Sequence, residues 1–205
     1  MKKKILAASL FLLPLLAAAQ LMGIPQFSAD MSMKTEHGRE GSMQGKMYFG
    51  GNKVRMDMST QGHDMEMIHD TTTKTTYMIM PQQRMYMEMS ATSPMSRRGP
   101  DWKDFRNFDP NNPCASDPET TCKKVGTEEV NGRQCDKWEF TRKDGGTRTV
   151  WIDQKLHFPV RVVSKDSSWD LTNVKEGKQD ASLFTVPAGF QKMDLGSMMG
   201  GSKPQ

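Results

Sequence analysis

The chain has 205 residues, a formal charge of +4, 25% charged residues and 19 methionines. Lys2, Lys3 and Lys4 account for three of those four positive charges, which leaves +1 for the remainder. A remainder that close to neutral is no basis for binding nucleic acid or an anionic membrane.

Residues 1–19 read as a secretory signal peptide: a lysine n-region, an apolar stretch from Ile5 to Leu16, and Ala17-Ala18-Ala19 as the cleavage site. Cleavage after Ala19 implies a periplasmic or secreted product. The apolar stretch is too short and wrongly flanked for a membrane-spanning helix. No cysteine follows the cleavage site, so lipid attachment there is not indicated. Residues 20–193 suit one domain with a real core.

Phe27 to Thr35 alternates Phe27, Ala29, Met31, Met33 with Ser28, Asp30, Ser32, Lys34, the pattern of a half-buried strand. Further strands are expected at Met43–Phe49, Lys53–Ser59, Met65–His69, Thr75–Met80 and Met85–Met89, separated by turn-forming residues. Methionine recurs at every second position through this region. Successive side chains on a strand point to opposite faces, so this spacing puts the thioethers of adjacent strands on one face. Unbranched, polarisable methionine fills a core adequately, but it also makes a surface that re-packs around varied apolar shapes.

Residues 90–121 contain five prolines and break the alternation. A connection this long in a compact domain reads as an ordered loop or lid. Trp102, Phe105 and Phe108 recur at three-residue spacing within Asp101–Phe108, which allows one or two helical turns. Lys123–Val130 and Arg133–Thr141 flank Asn131-Gly132, the strongest short hairpin signal. Strands at Thr147–Asp153, Phe158–Ser164 and Ser168–Val174 follow, then a helical turn at Asp180–Phe184. Residues 194–205 form a Gly- and Met-containing tail with the composition of disorder.

Three cysteines in an exported chain imply a disulfide and a leftover thiol. Cys114 and Cys122 flank a short polar loop and are the favoured pair; pairing of Cys114 with Cys135 stays open. Cys135 should lie opposite Glu128 in the hairpin, away from Cys122.

Two regions carry a family resemblance: GKMYFGGNKVRMDM with TYMIMPQQRMYMEM, and VWIDQKLHFPVRVV with LTNVKEGKQDASLFTVPAGFQKM. They resemble an uncharacterised family of bacterial envelope proteins related to the LolA-like superfamily of periplasmic lipoprotein and lipid carriers. The resemblance implies a mainly β, α+β fold. Its core would be a curved antiparallel half-barrel, with short helices or a loop covering the open side and an apolar cavity between. The methionine lining and the Cys-bearing loop depart from those carriers.

No catalytic motif is present: no Gly-x-Ser-x-Gly, no His-Glu-x-x-His and no phosphate-cradling glycine loop. The expectation is therefore a binding protein, not an enzyme, with no cofactor. Its ligand would be a lipid or other hydrophobic small molecule. Met56, Met58, Met65, Met67, Met78, Met80, Met87, Trp102 and Phe105 would hold it, with transient contacts to envelope membranes or lipoproteins. One alternative is a Cu(I)-binding protein using His63, Met65, Met67 and His69, since thioethers are soft ligands. Neighbours in one phase of a strand lie roughly 7 Å apart, so such a site needs groups from other strands too. Another alternative is a structural envelope protein without ligand.

Overall fold

The computed structural model describes residues 24–35, 43–60, 62–90, 109–115 and 117–193. Twelve strands form one sheet: β1 (Phe27–Thr35), β2 (Met43–Phe49), β3 (Lys53–Thr60), β4 (His63–Asp70), β5 (Thr75–Met80), β6 (Met85–Ser90), β7 (Thr120–Val130), β8 (Arg133–Arg142), β9 (Thr147–Asp153), β10 (Phe158–Ser164), β11 (Ser167–Glu176) and β12 (Gln191–Met193). The spatial order is β12-β6-β5-β4-β3-β2-β1-β11-β10-β9-β8-β7. The sheet is curved and does not close into a barrel.

Two meanders build it. The first runs β1 to β6 and the second β7 to β11, each with sequential neighbours hydrogen-bonded. β1 and β11 join them along most of β1's length, from Phe27↔Glu176 to Thr35↔Ser167. Short loops explain the antiparallel meanders. The Asn131-Gly132 turn has φ of 52° and 75°, the doubly positive geometry of the tight hairpin turn its sequence announced. All pairings are antiparallel except β12 with β6, which is parallel.

The main core gathers where the meanders meet. Phe27, Phe49 and Phe158 have ring centroids 5.4–5.9 Å apart. Met31, Met47, Met56, Val160 and Leu171 pack with them. Beneath, the buried carboxylate of Asp153 accepts the backbone N–H groups of Lys155 and Leu156, both at 2.7 Å, and pairs with Arg133. These partners offset the cost of burying its charge.

Gly45 is fixed by a close approach. A Cβ there would stand 2.1 Å from the carbonyl oxygen of Asp57 on the neighbouring strand. Glycine lets β2 and β3 pair at that point.

The expected α+β class and covering helices are not found. Among the described residues helical structure is confined to two 3-10 turns, Pro81–Gln83 and Ala181–Phe184. The second sits on the side opposite the methionines. Phe184 packs with Ile68 and Ile79, which alternate with Met67 and Met78 along β4 and β5. Leu183, Val186 and Phe190 extend this contact, and Arg55 donates to the Leu183 carbonyl at 3.0 Å. The C-terminal segment is thus a strap across the other face, ending as β12 on the β6 edge. Asp101–Phe108, where further helical turns were expected, lies outside the described residues, as do residues 1–23 and the tail from 194.

Candidate ligand-binding face

The register places the methionines in rows. Ala29, Met47, Met56, Met67, Met78, Met87 and Met193 are successive direct partners across β1, β2, β3, β4, β5, β6 and β12. A second row contains Met31, Gly45, Met58 and Met65, and on the far strands Met80 faces Met85. Directly opposed residues share a face, with Cβ atoms about 4.5–5.5 Å apart. The thioethers therefore lie on one side of the sheet.

Burial divides them. Met31, Met47 and Met56 are 3%, 1% and 7% exposed and belong to the main core. Met67, Met78, Met80, Met85 and Met87 are half-buried, and Met65 is 39% exposed. Met58 and Met67 are half-buried against the main core, and Met89 is buried. So within the first row Met47 and Met56 lie in packed interior while Met67, Met78 and Met87 are more exposed; off that row Met33 and Met43 are half-buried as well.

This face continues into the second meander. Met33 opposes Trp169, which opposes Val162, then Val150, then Trp138. Trp138 is 7% exposed, and its indole N–H has no hydrogen-bond partner among the described residues. Trp138, Phe140, Val150 and Ile152 form a cluster with Val162 and the Cys114–Cys122 disulfide. The sequence put Trp138 and Phe140 on one face of their strand. It did not reveal that this face joins the methionine face, because the junction is the long-range β1–β11 pairing.

The disulfide is the favoured pair, with a Cα–Cα distance of 5.8 Å. Cys135 is free, fully buried and opposite Glu128. Burial, helped by the nearby Asp153 carboxylate, pushes its thiol up to about 11. Such a thiol stays protonated and unreactive near neutral pH.

Trp102 and Phe105, the expected lid aromatics, lie outside the described residues. The candidate metal set is spread along one strand. His63 and His69 sit at opposite ends of β4, six residues and so roughly 20 Å apart. His69 Nδ1 is 2.9 Å from the Thr76 hydroxyl. No group of three or more His, Cys, Asp or Glu among the described residues is placed to hold a metal.

A cavity of about 410 Å³ opens on the other side of the sheet, lined by Ser28, Asp30, Lys46, Tyr48, Asn173 and Lys175 among others. Its Asp30 carboxyl is held below its usual range by the Asn173 amide and, less strongly, by Lys46.

The described strands thus form an open, twelve-stranded sheet with a methionine-rich face on its first meander and apolar clusters on both of its sides. The chain belongs to the DUF4412 family, a domain of unknown function, whose model matches residues 27–157. Among curated proteins, none matches it in sequence. Among solved structures, an uncharacterized conserved protein from Thermus thermophilus is similar at TM-score 0.55 and 10% identity, over 83% of this chain and 90% of that one. MucB in the Pseudomonas aeruginosa MucA/MucB complex is similar at TM-score 0.52 and 13% identity, over 80% of this chain. This chain spans only 56% of the MucB structure's length. A LolA superfamily protein from Nitrosomonas europaea aligns at TM-score 0.42 and 11% identity, over 79% of this chain and 90% of that one. At such identities the likeness concerns the fold alone.

Proposed function

We propose that this protein works outside the cytoplasm as a binding protein. It would hold the acyl chain of a lipid, or a similar apolar molecule, against the open half of the methionine face. The observation that carries the reading is the in-register row Met67–Met78–Met87 with Met65, Met80 and Met85 beside it, half-buried to exposed on three adjacent strands. Six large apolar side chains in one patch are uncommon on a surface without a partner. Methionine suits a flexible guest, because its unbranched side chain re-packs at little cost.

The energetics are favourable. Each buried methylene contributes about 0.8 kcal/mol, so a 16-carbon chain retains useful affinity after ordering costs. The row extends toward Met56 and the core on one side and Met193 on the other, which gives an extended molecule a track. Trp102 and Phe105 would close over it from the 90–121 segment. Contacts with envelope membranes or lipoproteins would then be transient, serving loading and release. The Cys114–Cys122 disulfide supports an oxidising compartment.

The test is mass spectrometry of organic extracts from protein purified without detergent, paired with uptake of hexadecanoate by the stripped protein. Co-purifying acyl lipid and saturable uptake are expected. Repeated absence of both would overturn the reading.

A further inference from the structure

The open half of the face has a second chemistry. Three strands carry two rows of three thioethers: Met67, Met78 and Met87 in one, Met65, Met80 and Met85 in the other. Met67 faces Met78 and Met78 faces Met87 directly, so β5 places Met78 between two thioether neighbours. Adjacent strands are about 4.7–4.9 Å apart, and methionine side chains are long and flexible. Sulfurs from the two outer strands can therefore lean toward one point above β5. Thioethers are soft, neutral donors and select Cu(I) over harder divalent ions.

We propose that Met67, Met78 and Met87 form a cross-strand Cu(I) site, a ligand class separate from the apolar guest. This arrangement differs from a site built along β4 alone. One strand separates His63 from His69 too widely to share an ion, and the register supplies neighbouring ligands from other strands instead. The core methionines Met31, Met47 and Met56 have the same chemistry but are packed among aromatic and aliphatic side chains, which leaves no room for an ion. Binding of this kind should be nearly independent of pH, because thioethers do not titrate. Among the described residues, the only titratable side chains on this face of β4–β6 are His63 and His69, at the two ends of β4.

The experiment is a competition titration of the delipidated protein, residues 20–205, with Cu(I) held by bicinchoninate under ascorbate and without oxygen. It is repeated at pH 5.5 and 7.5. The protein should withdraw Cu(I) equally well at both values. The triple variant Met67→Leu, Met78→Leu, Met87→Leu should lose this ability, and a chain truncated after Met193 should keep it. Leucine is apolar and similar in volume, so the triple variant should keep its fold, which circular dichroism and its urea midpoint check. As a check free of mutation, methionine ε-methyl NMR of the wild-type protein should show Cu(I) shifting Met67, Met78 and Met87 and sparing Met31 and Met47. Undiminished competition by the triple variant, shifts confined to Met198 and Met199, or loss of binding at pH 5.5 would each overturn the proposal.

Discussion

The two halves of the methionine face carry one side chain in one register and put it to different uses. On β1–β3, Met31, Met47 and Met56 are held by Phe27, Phe49 and Phe158 and are interior residues. On β4–β6, Met67, Met78 and Met87 continue the row begun by Met47 and Met56, yet remain half-buried. The cause is what lies above each half. Where the second meander rejoins through β11 and β10, aromatic and aliphatic groups close over the sulfurs. Farther along, the sheet runs on toward β12 at its edge, and its other face receives the Phe184 strap instead. Along this row a methionine is core or half-buried according to its strand's place in the sheet order, whereas off the row Met33, Met43 and Met58 are half-buried and Met89 is buried.

That contrast can be broken most directly by truncation. Met47→Ala should cost about 2–5 kcal/mol, since it leaves a cavity in packed interior. Met78→Ala should cost about 1 kcal/mol or less. Urea unfolding of both variants measures the difference, and equal costs would mean that the open half is core as well. Met78→Lys sharpens the contrast: the long side chain can reach water from a half-buried position, so folding survives while hexadecanoate uptake is lost.

A gentler comparison needs no mutation. Dilute peroxide should convert Met65, Met67 and Met78 to sulfoxides well before Met31 and Met47. Peptide mass spectrometry over a time course orders them, and simultaneous oxidation would count against the division.

The smallest effect concerns the buried Cys135. Its folded-state value of about 11 lies above the ordinary 9.0, so the stability linked to the neutral thiol is complete below pH 9. That contribution is lost as pH rises from 9 through 11. A Cys135→Ala variant should therefore show a flatter stability profile across that window. In the native protein at pH 8, Cys135 should resist iodoacetamide until denaturant is added.

Much of this face was legible in the sequence because β alternation is a local property. Phe27 to Met33, Met43 to Phe49 and Val54 to Met58 were each assigned their inner residues by period two, and turn residues between them gave the hairpin order. Asn131-Gly132 located its hairpin for the same reason. The Cys114–Cys122 bridge followed from a short loop between two cysteines. What escaped depended on distant chain segments. The β1–β11 pairing, which merges the methionine row with Trp169, Val150 and Trp138, links residues far apart in sequence. β12 was not expected either: Gln191–Met193 has too few residues to show alternation, and it pairs in parallel with β6. The covering helices were inferred from resemblance. The one turn of helix at Ala181–Phe184 went to the opposite face because Phe184 fits over Gly50, Ile68 and Ile79. The division of methionines by burial had no local signature, since Met47 and Met78 sit in similar alternating contexts.

The central claim is that the thioethers of β4–β6 receive an apolar guest while those of β1–β3 do not. Methionine ε-methyl NMR during titration with hexadecanoate tests it most directly. The account predicts that the Met67, Met78 and Met87 signals move together and saturate while those of Met31 and Met47 stay fixed. Saturation with no movement at Met67, Met78 and Met87, or no saturable change anywhere, would contradict it.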